Sequence, residues 1–104
     1  QLFSQLYRRN RFYAEALYHI NNSINSYEKI KNEKGKISAL INKIKTLFNL
    51  KKYQEVKKII ALIKDNTHST VEDKQWAFYY CAMIDFVKKR YETARYKIKR
   101  SLEI

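Results

Sequence analysis

The sequence contains no proline and a single glycine, Gly35, in 104 residues. A β-sandwich or β-barrel needs turn residues at every hairpin, so this shortage removes most all-β folds from consideration. It also excludes collagen-like and flexible linker segments. What remains is a chain of helices joined by short connectors, and the apolar spacing agrees. Ala16, Ile20, Ile24 and Tyr27 follow the three-to-four rhythm of a helix face, as do Leu40, Ile44, Leu47 and Phe48. Val56, Ile59, Ile60 and Ile63 continue it, then Phe78, Cys81 and Ala82, then Ala94, Ile98, Ser101 and Leu102. The start reads likewise, with Leu2, Phe3, Leu6 and Tyr7.

Breaks in that rhythm predict six helices, over 1–9, 13–31, 35–49, 53–65, 70–88 and 91–104. Ser69 and Thr70 before Val71, Glu72 and Asp73 mark a helix start, with acids placed to meet the helix dipole. The helices fall into three pairs. Tyr13, Ala16 and Ile20 recur as Tyr53, Val56 and Ile60, and again as Tyr91, Ala94 and Ile98, at offsets of 40 and 38 residues. A small residue between an aromatic and an aliphatic lets a partner helix approach closely. Ala16 and Ala94 are therefore expected to be buried at helix crossings.

These residues resemble the tetratricopeptide repeat, in a long-period form. Phe3-Ser4 and Tyr7, then Ala16 and Ile20, stand at the family's positions in the first copy. Phe78, Cys81 and Ala82, then Ala94 and Ile98, do so in the third. Leu40, Ile44, Leu47, Val56 and Ile60 give a weaker second copy. The family's terminal proline is missing, and Asp85 stands where it has Tyr. Long-period versions occur in kinesin light chains and in sensor regions of bacterial regulators. The run Tyr27–Gly35 looks like the connector of that subtype, with Gly35 as its position of positive φ. The resemblance implies an all-α, right-handed superhelical solenoid of three antiparallel helix pairs. It would form a single domain over 1–104, with repeats at about 1–33, 34–69 and 70–104, cut from a longer and bacterial protein.

In that architecture the first helix of each pair lines a concave groove. The resemblance assigns to it Gln5, Arg8 and Arg9, then Ser38, Ile41, Asn42, Lys45 and Asn49, then Trp76, Tyr79, Tyr80, Met83 and Phe86. The first two sets are polar and basic and the third is aromatic, the residue types that anchor protein interfaces. The same aromatics would equally suit packing against a further repeat or a second chain. Only Asn42 and Lys45 fit the family's clamp for a C-terminal carboxylate, so capture of chaperone tails is not expected.

Catalysis is not expected. His19 and His68 lie in different repeats with no nucleophile or carboxylate pair in register, and read as solvent-facing. Two separate histidines and one cysteine do not make up the three or four ligands of a metal site. Cys81 reads as a small buried apolar residue, and one cysteine allows no intramolecular disulfide. One glycine cannot build a phosphate-cradling loop. No cofactor is implied.

The formal net charge is +12, from 22 Lys and Arg against 10 Asp and Glu. Such a surface attracts nucleic acid, acidic proteins and anionic lipid. Lysine outnumbers arginine 16 to 6, the residues enriched alongside it share A/T-rich codons, and residues 1–52 carry +8 against +4 for 53–104. Charge that is spread in this way reads first as a solvated surface. Lys88, Arg95 and Lys99 could gather into a patch, and Tyr18 and Tyr96 could stack on bases. No run approaches the roughly 18 apolar residues of a membrane span. The expectation is a cytoplasmic module that binds another polypeptide, as a scaffold or as the sensor region of a regulator. The alternative is a nucleic-acid-binding helical repeat. Apolar residues at the two ends, Leu2 and Leu6, then Tyr96 and Ile104, imply stacking on further repeats or on a second copy.

Overall fold

A computed structural model describes residues 2–102, and the side-chain surroundings of residues 8–100. All its regular structure is helical: α1 (Leu2–Lys29), α2 (Glu33–Asn49), α3 (Tyr53–Asp65) and α4 (Val71–Leu102). The expectations on Leu2, Phe3, Gln5, Leu6, Tyr7, Ser101, Leu102 and Ile104 concern side chains outside the described residues.

Among the described residues four helices replace the six expected, because the predicted breaks at residues 10–12 and 88–90 do not occur. Asn10, Arg11 and Phe12, like Lys88, Lys89 and Arg90, carry no helix breaker, and Lys and Arg are good helix formers. Contacts within each helix run across the expected breaks. Arg11 Nε pairs with Glu15 Oε1 at 3.3 Å, and Thr93 Oγ1 donates to the Lys89 carbonyl at 2.9 Å. The anchor alanines change accordingly. Ala94 is exposed, since α4 runs straight on and no helix folds back over it, and Ala16 is only half-buried on α1.

The two tight connectors are built alike. Lys31 N–H donates to the Glu28 carbonyl and Asn32 N–H to the Tyr27 carbonyl, at 3.2 and 2.9 Å. Lys51 and Lys52 repeat the pattern with Phe48 and Leu47, both at 3.0 Å. This is the closing motif in which one residue turns left-handed to satisfy the last carbonyls of a helix. The left-handed residues are Lys31 (φ 56°) and Lys51 (φ 62°), not Gly35. Gly35 lies inside the first turn of α2, where its N–H donates to the capping Asn32 Oδ1 at 3.0 Å. A Cβ at Gly35 would run into the Tyr27 ring of α1, so the glycine serves close helix approach.

The third connector ends in a reciprocal cap. Asp73 N–H donates to Thr70 Oγ1 at 3.1 Å, and Thr70 N–H donates to Asp73 Oδ2 at 2.9 Å. Ser69 Oγ also donates to the Ile63 carbonyl at 2.7 Å, tying the connector to the end of α3.

Helix α2 is the centre of the fold. It packs against α1, α3 and α4, whereas α1 lies against α2 alone among the described residues. Ile37, Ile44 and Leu47 of α2, with Val56 and Ile63 of α3, are sealed from solvent. Each such burial is worth about 1.5–3 kcal/mol. Helix α3 returns against α2 and then against the first half of α4, where it meets Ala77 and Ile84 in the common core. Helices α2 and α4 run in the same direction, since Lys45 meets Trp76 and Phe48 meets Tyr80.

The register on α4 departs from expectation. Ala77 and Ile84 are buried, with Tyr80 and Cys81 packed against the core. Phe78 instead faces out at 57% exposure, under the Lys64 ammonium at 4.5 Å, and Ala82 is exposed. The thirteen residues of α3 span about 20 Å, while the 32 of α4 span about 48 Å. Helix α4 therefore outruns its partner, and residues 88–100 are all exposed. The whole measures 62 × 34 × 17 Å.

Candidate functional site

An aromatic cluster forms where α2, the start of α3 and α4 meet. Phe48 lies 5.5 Å from Tyr53 and 5.5 Å from Tyr80, edge to face in both cases. The Tyr80 ring stacks on Trp76 at 6.2 Å and meets Tyr79 edge-on at 5.2 Å. Tyr79 meets Trp76 edge-on at 5.9 Å. Offset and edge-on pairs of this kind are the favoured aromatic geometries, so the rings hold one another in place. Half-buried Phe48, Tyr53 and Tyr80 form the base, and Trp76 (38% exposed) and Tyr79 (51%) form the outer surface.

Lys45 reaches over this surface, its ammonium 4.6 Å from the Trp76 ring centre. A cation held against an indole face is stabilised by about 0.5–1 kcal/mol at an exposed site. An open hollow of about 500 Å³ lies beside it, bounded by Glu72, Gln75, Trp76 and Tyr79. Burial raises the Tyr80 hydroxyl above the ordinary tyrosine pKa, with the neighbouring Tyr79 as the second cause.

Of the residues expected to line a groove, the structure brings together Lys45, Trp76, Tyr79 and Tyr80. Asn42 and Asn49 are exposed on α2, and Met83 is half-buried one turn beyond Tyr79. Phe86 is exposed but bounds a different hollow, with Lys89, Arg90 and Lys97. Arg8 and Arg9 are exposed on α1, which makes no contact with α4 among the described residues, so they stand apart from the aromatic surface. Ile41 is buried, because the side of α2 carrying it faces the core. Phe48 and Tyr53 were not foreseen as part of the surface. Their signal is a pair of aromatics bracketing the 50–52 connector.

His19 and His68 are both exposed. No group of three or more His, Cys, Asp or Glu that could hold a metal forms among the described residues. No helix is long and apolar enough to cross a membrane among those residues. Compared with family models, curated protein sequences and solved structures, the chain matches none of them.

Proposed function

We propose that this chain is a polypeptide-binding segment of a helical-repeat protein, and that the face of Trp76, Tyr79, Tyr80 and Lys45 is its recognition surface. The observation that carries this is the cluster itself. Large, stiff aromatics stand partly in solvent while their neighbours hold them in place, so little conformational freedom is lost when a partner covers them. The tetratricopeptide-like superhelix belongs to the same reading. It is supported by α2 and α4 running side by side in one direction while α3 returns between them. A cytoplasmic scaffold or sensor role also belongs here, as does the absence of chemistry of its own. The nucleic-acid alternative keeps its charge and its exposed Tyr18 and Tyr96, but these rings sit on α1 and α4, which make no contact among the described residues and so offer no single stacking platform.

The test is binding of the whole chain to an array of unrelated peptides, read against Trp76→Ala and Tyr79→Ala. Anchor residues of this type cost about 2 kcal/mol or more when truncated. The expected result is a loss of at least tenfold in affinity with an unchanged thermal midpoint. Binding indifferent to both substitutions would overturn the assignment of the surface.

A further inference from the structure

Helix α4 carries a second surface, further along the helix than Trp76, Tyr79 and Tyr80. Its core-facing side begins with Ile84, buried beneath α3, and Val87, half-buried. At helical spacing the same side continues through Tyr91, Ala94 and Ile98. Helix α3 ends first, so Tyr91 and Ala94 stand in solvent, with Tyr91 66% exposed. The junction is an open cleft of about 420 Å³, bounded by Tyr53 and Lys57 of α3 and by Lys88, Tyr91, Glu92 and Arg95 of α4, so that three cations and one carboxylate line it.

The charge around the stripe is one-sided. The helical period places Lys88, Arg95 and Lys99 along one edge and Arg90 and Lys97 along the other. Glu92 is the single acid between Lys88 and Arg100. We propose that this stripe docks an acidic amphipathic helix of a partner protein. The helix would lie along the track that α3 vacates, its apolar face on Tyr91 and Ala94 and its carboxylates between the two basic edges.

Three competing occupants fit less well. A second copy of this arm would set basic edge against basic edge, and opposed like charges are costly at an interface. A nucleic acid would answer the cations but leave the apolar stripe uncovered, since phosphate and sugar offer it nothing. A lipid surface is held off because α3 stands on the same side of α4 at Ile84, and a helix is about 10–12 Å thick. A helix following α3 along the groove meets no such obstacle.

This inference extends the polypeptide-binding reading to a second surface, which shares with the first only Tyr53, at the base of the aromatic face and at the border of the cleft. The probe is a synthetic peptide of about 20 residues made of leucine, alanine and glutamate, with leucines at three-to-four spacing. A scrambled peptide of the same composition is the control, alongside a duplex oligonucleotide and vesicles of phosphatidylcholine with phosphatidylglycerol. The expected result is binding of the patterned peptide at least tenfold tighter than the scrambled one. Tyr91→Ser and Arg95→Glu should each weaken it at least tenfold, with an unchanged melt. Equal binding of both peptides would overturn the proposal, as would tighter binding of the oligonucleotide or the vesicles. Concentration-dependent dimerisation abolished by Tyr91→Ser would overturn it in favour of a second copy. Trp76→Ala should leave this binding unchanged, so failure here is separable from failure at the aromatic face.

Discussion

The ammonium of Lys45 on α2 rests 4.6 Å from the indole of Trp76 on α4, and so joins two helices separated by the whole of α3 in sequence. The contact places a charge at the rim of an aromatic surface whose base is closed by Phe48, Tyr53 and Tyr80. A partner that covers Trp76 must displace or accommodate that lysine. Lys45→Met should therefore change which peptides bind, selecting against acidic ones, while leaving the fold intact. Peptide-array profiles of the two proteins measure this.

Two alanines separate a continuous α4 from a folded-back one. Ala77 is completely buried, and Ala77→Leu should overpack the core at a cost of about 1–3 kcal/mol. Ala94 is exposed, and Ala94→Leu should change stability by no more than about 0.5 kcal/mol. Urea melts of both variants give the comparison. A large loss at Ala94 would mean that residues 91–102 pack against another helix.

At the connectors, opposite substitutions should have opposite signs. Lys51→Gly removes the cost of a left-handed lysine and should stabilise by about 1 kcal/mol. Gly35→Ala gains helix propensity but drives a methyl into the Tyr27 ring, a net loss of about 1–2 kcal/mol. Thermal melts that move in the same direction for both would contradict the connector geometry.

Thr70→Ala removes the oxygen that receives the Asp73 N–H and should cost about 1 kcal/mol. Asp73→Ala breaks the return bond to the Thr70 N–H. The double substitution should cost less than the sum of the two, because each partner depends on the other. A double-mutant cycle in denaturant measures the coupling.

Alkaline titration gives a check on Tyr80. Its neutral form is favoured in the folded protein, so its folded pKa lies above that of the unfolded chain. The stability this contributes is complete below about pH 10 and is lost as pH rises from there through the folded value. In ultraviolet difference titration, Tyr80→Phe should remove signal from the late, high-pH end of the curve. Loss from the early end would contradict the burial of that hydroxyl.

Much of this was legible in the sequence. The predicted helix over 53–65 coincides with α3, and 35–49 misses α2 only by the two residues that the Asn32 cap adds at its start. Those boundaries are written locally, in caps and closing turns. The breaks at 10–12 and 88–90 rest on interruptions of the apolar rhythm alone, and only a packed neighbour could impose them on residues so compatible with a helix. At the site, Trp76, Tyr79, Tyr80 and Lys45 were chosen from their place in the repeat, and the fold brings them together. Arg8 and Arg9 rest on the same reasoning but lie on a helix that makes no contact with α4 among the described residues. A repeat pattern gives the side of a helix a residue occupies. It does not give how far that helix continues past its neighbour.

Because α1 leans on α2 alone among the described residues, the chain has a built-in order of coming apart. Peeling α1 away uncovers one flank of α2 and leaves the contacts of α3 with α2 and α4 intact. The amides of α1 should then exchange with solvent through a local opening, while those of α2 and α3 wait for the whole core to open. Stability in this protein is therefore graded from the periphery inward, and a partner that grips α1 would tighten the edge of the molecule without touching its centre.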